Sequence, residues 1–406
     1  MSLSASDLAR FRAVIAEVGV ESREREQERR LLHPEIAALV ASGFTALRVP
    51  VALGGAGATL PELFMLLVEL GAADPNLPQA LRGHFGLVER FLVGGTERDE
   101  EWLRRAGAGA LFANSQAEKG GSTTTEARLA RVDGEWRLTG RKFYTTGTLY
   151  ADYTWTGALD ASGERYGAVV PTAAPGVQVL DDWTGFGQRL TASGTTIFDD
   201  VPLGDENVYR VTAEPDWYTL DFRLLLHLLL QATMAGIGRA ALEDTLRFVR
   251  GRSRSFGVPG ESLPREDPRV QSVVGELASR VAAVEALVHD VARDYAAVRE
   301  RRHADEAERT ADYVRVQIRQ FEAQQIAVAD IVAVTSRLFE VGGASAVLTE
   351  SGLDRHWRNA RTIASHNPAV FRQAAIGAYL LNGTEPETDF RQTLAAPADS
   401  MQEAPA

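Results

Sequence analysis

Apolar residues recur with helical spacing through the first hundred positions. Leu8, Phe11, Val14, Ile15 and Val18 fall at i, i+3, i+4 and i+7 intervals and place one stripe on an amphipathic helix. The same period in Glu62–Ala72, and onward to about Arg105, predicts a helical first segment interrupted only by Leu47–Pro61, LRVPVALGGAGATLP. From about Gly109 to Tyr209 the period drops to two. ARLARVDGEWRLTGRKFYTTG alternates around Asp133–Gly134, a strong short hairpin signal, and RYGAVVPTAAPGVQVLDDW and SGTTIFDDVPL supply further strands. Helical spacing returns in Leu220–Arg250, Asp267–Arg302, Arg309–Val341 and Ala369–Leu381. The predicted division is therefore an N-terminal α-helical domain (1–108), a central β domain (109–212), a C-terminal four-helix bundle (213–385) and an acidic tail (386–406) with too little apolar content to dock firmly. No internal repeat is visible.

Composition narrows the function. A chain of 406 residues, 45% hydrophobic and 24% charged, is long enough for one large core or two to three smaller ones. Its net charge of −12 argues against nucleic acid as a partner, because phosphate binding needs clustered Lys and Arg. The alternating signs of REREQERR (residues 23–30) mark a solvated helix face. The absence of cysteine removes disulfides, thiolate catalysis and Cys-ligated metals, and no metal site is expected. DFRLLLHLLLQATMAGIG comes closest to a membrane span, but its charges and its continuation into GRAALEDTLRFVRG predict a buried helix; the expectation is a soluble, cytoplasmic protein with no membrane partner. Gly55 and Gly57 lack the third glycine and the βαβ setting of a dinucleotide fingerprint, so no nicotinamide site is read there.

The densest polar chemistry lies in Asp354–Pro368, DRHWRNARTIASHNP, with His356, His366, Arg355, Arg358, Arg361, Asn359 and Asn367 within fifteen residues. Each arginine alone is most simply a solvated helix face, and a single histidine is more often a satisfied structural group. Pro368 biases Asn367 out of the α region, which sets His366 at a helix-to-loop exit and off the face carrying His356. His84, in LRGHFG, is the second candidate.

The order of helices, β domain and helices resembles the acyl-CoA dehydrogenase family over nearly the whole chain. Four landmarks carry the resemblance: PVALGGAG (Pro50–Gly57), EKGGSTTTEARLARVDGEWRLTGRKFYTTG (Glu118–Gly147), RSRSFG (Arg252–Gly257) and FEVGGASA (Phe339–Ala346). It implies an α+β, mostly α fold with a central β barrel or sandwich and a C-terminal four-helix bundle, assembled as a homotetramer, a dimer of dimers. The dehydrogenases of the family take the α proton of a thioester with a glutamate. Neither matching position has one here: His366 and Asn367 occupy one, Arg254 the other. Ser115-Gln116-Ala117 replaces a common Thr-Glu-Pro, and the aromatic that meets the adenine half of FAD is missing after Gly343.

HWRNARTIASHNP and EVGGASA look instead like the flavin-dependent monooxygenase branch of the fold, of the dibenzothiophene monooxygenase type. That likeness implies a reduced-FMN-dependent monooxygenase, working through a C4a-peroxyflavin, with His366 and His84 as catalytic groups at the reactive face of the ring. By the same likeness Asn114, Ser115, Tyr144, Thr146, Arg252, Arg254, Gly342, Gly343 and Asn367 bind cofactor, with Arg252 and Arg254 at the flavin phosphate across a subunit boundary. A histidine suits oxygen chemistry because an imidazole exchanges protons near neutral pH. The expected partners are a small organic substrate, with sulfur compounds among the candidates, O2 and a separate NAD(P)H flavin reductase, with Phe112, Trp155, Trp183, Phe186 and Phe222 as candidates to line an apolar pocket. Two alternatives stand beside it: an acyl-CoA dehydrogenase or oxidase with FAD and a relocated base, and a catalytically inactive flavin-binding protein.

Overall fold

The computed structural model describes residues 2–118, 127–211, 215–253 and 263–386. Helix α4 (Leu60–Ala73) shows how local sequence sets an element. Thr59 caps it, with Glu62 bonding back to the Thr59 N–H, and Pro61 occupies the first turn, where no N–H is needed. Leu63, Phe64, Leu66, Leu67, Val68 and Leu70 then bury nearly all sides of it. A helix apolar all round belongs inside, and α4 packs along α8 (Asp216–Gly251) and α9 (Pro268–Glu300). Its backbone touches α8 at a pair of glycines, where a Cβ on Gly236 would lie 2.6 Å from Gly71 C. Helix α10 (Glu306–Arg337) closes the group. The four-helix core is thus α4, α8, α9 and α10, and one apolar cluster runs from Phe11 to Ile363 through both helical segments. The last long helix, α12 (Ala369–Asn382), has no buried residue and leaves Val370, Phe371, Leu380 and Leu381 exposed. Helix α8 is long and apolar enough to cross a membrane by composition, but 83% of the relevant window is buried, which marks a core helix.

Between these helices lies one mixed sheet of eight strands: β1 (Phe112–Ser115), β2 (Arg128–Val132), β3 (Glu135–Lys142), β4 (Tyr153–Leu159), β5 (Arg165–Pro171), β6 (Val177–Leu180), β7 (Thr195–Leu203) and β8 (Val208–Arg210). Its order is β6-β7-β3-β2-β4-β5-β8, with β1 pairing β4 in parallel. Asp133 and Gly134, both at positive φ, make the β2–β3 turn, as the Asp-Gly pair predicts. Alternation sorts the side chains: Ala158, Ala168, Val170 and Phe198 gather on one face, in a core built by the residues of the β domain itself. Trp155, Val169 and Tyr209 face the other way, onto α6 (Arg82–Gly94) and α7 (Glu97–Gly107). That contact aims the start of α6 at the end of β1.

Candidate functional site

Four segments converge on the first turn of α6. A Cβ on Gly83 would lie 2.7 Å from Asn114 N, so α6 rests directly on β1, and only a glycine permits it. A Cβ on Gly147, at φ +81, would lie 2.1 Å from Ala80 O, which brings the turn after β3 against the residues preceding α6. Helix α11 (Asp354–His366) ends there as well. Its cap, Asn367, is extended (φ −127, ψ 99) ahead of Pro368, as the sequence predicts, and the final residue places its ring against α6: Arg82 Nη2 lies 2.9 Å from His366 Nε2.

That contact fixes the imidazole. Burial lowers the Arg82 guanidinium to about 10, still cationic at neutral pH. It has only N–H donors, so His366 Nε2 accepts and the ring proton sits on Nδ1. The neighbouring cation, followed by desolvation, pushes His366 down to about 3, against a hydrogen bond with the Asn367 side chain. Because the His366 residue is exposed, the fixed charge rather than burial is the reason we assign it the neutral form. Sequence reasoning missed Arg82, although it stands two residues before His84. Nor did it count His227 among the candidates. His227, on α8, has an Nδ1 with no hydrogen-bond partner, and it is held well below its usual value by burial and then by Arg372, Arg82, His366 and Arg223. With Gln324, Ile363 and Asn367 it borders a cavity of about 20 Å³, room for about one water.

The other expected site residues scatter. His84 is fully buried; its Nε2–H donates to Thr45 O at 2.8 Å, its Nδ1 accepts from Phe112 N at 3.3 Å, and its ring stacks on Phe112. This corrects the catalytic role expected for it: with both nitrogens bonded to backbone, His84 braces α6 against β1. Burial lowers it to about 4. The unfolded chain, with an ordinary histidine near 6.5, takes up a proton on acidification that the folded protein refuses. The stabilisation is therefore whole above about pH 6.5 and lost as pH falls toward 4, about 2 kcal/mol of it between pH 7 and pH 5. Urea denaturation at the two pH values should show that loss, and His84→Gln should remove it; an unchanged pH slope in the variant would refute the neutral, buried assignment.

Ser115 Oγ points inward to Thr154 Oγ1 (2.6 Å) and Thr148 Oγ1 (3.3 Å), so its hydroxyl is not presented to a ligand. Thr146 is buried against Ser193 Oγ at 2.8 Å. Asn114, in contrast, has a buried Oδ1 without a hydrogen-bond partner, and Tyr144, at φ +55, leaves its ring 61% exposed beside Trp183. Arg252 donates to Val341 O at 2.8 Å and lies beside the turn of Gly342 and Gly343 (φ +60). It lines a cleft of about 790 Å³ with Arg23, Arg247, Arg355 and Ser345; neither Arg82 nor His366 borders that cleft. Arg254 lies outside the described residues.

Most of the polar run on α11 is structural. His356 and Arg355 bind Asp244 of α8 at 2.9 and 2.5 Å. Arg358 and Asn359 bind Glu26, and Asn359 Oδ1 also accepts from Gln188 N at 2.6 Å. The five aromatics expected around one pocket divide too: Phe112 and Trp155 belong to the core under α6, Phe222 lies near Arg90, Trp183 meets Tyr144, and Phe186 stacks on Trp357.

Known proteins resemble the chain throughout. The family model for the acyl-CoA dehydrogenase N-terminal domain matches residues 8–110, and that for the acyl-CoA dehydrogenase C-terminal domain matches residues 228–371, together more than half of the sequence. A dibenzothiophene monooxygenase from Mycolicibacterium goodii is 29% identical over 367 residues, covering 87% of this chain and 88% of the relative. A probable FMNH2-dependent monooxygenase, SfnC, from Pseudomonas putida is 26% identical, covering 94% and 96%. Among solved structures, FMN-bound TdsC from Paenibacillus sp. A11-2 superposes with a TM-score of 0.87 at 26% identity, covering 94% of this chain and 98% of that one.

Proposed function

The chain belongs to the acyl-CoA dehydrogenase family, and from that premise we propose that it is a reduced-FMN-dependent monooxygenase acting on a small organic substrate. The observation that carries this reading is the Arg82–His366 pair. Where the family's dehydrogenases are expected to hold a proton-abstracting glutamate, this chain holds a neutral imidazole bonded to a guanidinium, and among the described residues no carboxylate bonds to either. A site built to strip a proton from carbon needs a base with a free lone pair, and here the accessible one is occupied by a cation. The dehydrogenase alternative loses its support at that atom.

The residues present suit a flavin ring. Asn114 Oδ1 is a buried acceptor without a donor, and flavin carries ring N–H groups; the exposed Tyr144 offers a flat apolar ring. Asn114 and Tyr144 would hold the ring. Reduced flavin, when bound, supplies the two electrons that activate O2. The chain's part is to orient and to keep water out. His366 Nδ1–H is a donor whose proton is fixed in place by the Arg82 bond to the other nitrogen, and the guanidinium favours negative charge developing on oxygen nearby. Arg252, with its own cleft, suits the phosphate end of a flavin whose ring rests on another copy of the chain. We assign the exposed apolar face of α12 to the contacts of a homotetramer built as a dimer of dimers. An FMNH2-dependent enzyme without a nicotinamide site draws its reduced flavin from a separate NAD(P)H reductase.

The test is a coupled assay: FMN, an NADH-dependent flavin reductase, 18O2 and an organic sulfide or sulfinate. One 18O atom per product molecule is expected. Bleaching of protein-bound FAD by an acyl-CoA under anaerobic conditions, with no oxygen incorporated in the first assay, would sink the proposal in favour of a dehydrogenase.

A further inference from the structure

We infer that the substrate of this site is an organic anion of the sulfinate or carboxylate class, and that Arg82 receives its charged oxygens. The inference rests on the proposed reading of the site and adds the charge of what it accepts.

Local charge runs against the whole. The chain carries −12, yet the group set against His366 is a guanidinium, with Arg82 Nη2 2.9 Å from His366 Nε2. Several other buried or half-buried guanidiniums face carboxylates: Arg25 meets Glu35 and Asp74, Arg299 meets Glu89 and Asp221, Arg358 meets Glu26 and Asp354. Arg82 is different. Among the described residues no carboxylate lies within ion-pair distance of it, and its side-chain partner is a neutral imidazole accepting one of five N–H groups. A half-buried cation left with that partner alone has donors to spare, and an oxyanion takes the remaining fork. His227, whose Nδ1 lacks a partner, adds a neutral polar group on the same side. The surroundings choose the class of anion. Leu226 and Phe222 close on α6 at Gly86, one turn on from Arg82, where a Cβ would lie 2.8 and 3.3 Å from them. A charged head with an apolar body matches a guanidinium beside apolar side chains; inorganic phosphate matches only the guanidinium.

Isothermal titration of the flavin-free protein at low ionic strength tests it, with benzenesulfinate and its neutral near-isostere methyl phenyl sulfoxide as probes. Benzenesulfinate should bind at least about ten-fold more tightly than the sulfoxide. Arg82→Gln should lose that margin, Arg82→Lys should restore part of it, and sulfoxide binding should stay the same in all three. Equal binding of the two probes by the unaltered protein would overturn the inference, and that comparison stands even if Arg82→Gln does not fold. Inorganic phosphate competing as strongly as benzenesulfinate would overturn it as well. The outcomes separate from those of the oxygenase test. A chain that binds the sulfinate through Arg82 and oxygenates nothing sinks the monooxygenase reading alone; one that oxygenates neutral sulfides and ignores the sulfinate sinks only this inference.

Discussion

Replacing His366 with alanine should lower product formation by at least about a hundred-fold while the protein goes on consuming reduced flavin and oxygen, so that hydrogen peroxide accounts for most of the electrons. The expectation follows from what the side chain supplies. A proton donor held at a reacting oxygen contributes about 10²–10⁴ in rate, and an imidazole whose tautomer is set by a guanidinium has its donor ready before substrate arrives. Removing it leaves a gap that water can enter, and water diverts the oxygen. Arg82 would also lose its partner, but the residue lies in the last turn of α11, where nearby carbonyl ends favour a cation, so the fold should hold. Peroxide and oxygenated product, measured together against total NADH consumed, decide it. A variant that transfers oxygen with unchanged coupling would show that His366 does not serve the chemistry at all.

How far the sequence could be read follows from the range of the forces involved. Local ones were legible. The Asp133–Gly134 turn, the extended Asn367 ahead of Pro368 and the helix–strand–helix succession each depend on residues a few positions apart, and the structure has them where the pattern puts them. Partnerships between distant residues were not. Nothing along the chain ties Arg82 to His366, 284 positions away, or Glu26 to Asn359, and these pairs decide which polar residues are free for chemistry. The density of Asp354–Pro368 suggested one site; in the structure most of it clamps α11 to α8 and to Glu26, and only its end, at His366, meets Arg82 of α6. His84 failed for a related reason. Its position beside β1 is right for a ligand-facing group, but two backbone partners, Thr45 O and Phe112 N, absorb both nitrogens, and no pattern of side chains announces a backbone acceptor. Helix α4 follows the same logic: its spacing marked a helix, yet not that it would be buried on nearly all sides among helices from the far end of the chain.

The network that holds α6 in place predicts the largest loss of stability. Glu89, about two turns beyond Arg82 on the same helix, is 1% exposed and lies between Arg48 and Arg299, and Arg299 also binds Asp221 with its Nε at 2.7 Å. Two cations and two carboxylates balance there. Arg299→Met removes one cation and leaves Glu89 and Asp221 sharing Arg48 in a nearly dry interior, at a cost of about 3–5 kcal/mol. The double variant Asp221→Asn with Arg299→Met keeps the Arg48–Glu89 pair neutral as a unit and should be more stable than the single one, because the penalty comes from the uncompensated charge and not from the lost contact. Urea denaturation of the three proteins measures both steps. The consequence reaches the site: α6 carries Arg82 as well as Glu89, so the single variant should also weaken benzenesulfinate binding, and the double should recover part of it. Arg299→Met unfolding within about 1 kcal/mol of the unaltered protein would mean that the cluster is solvated and that α6 is positioned by its apolar contacts alone.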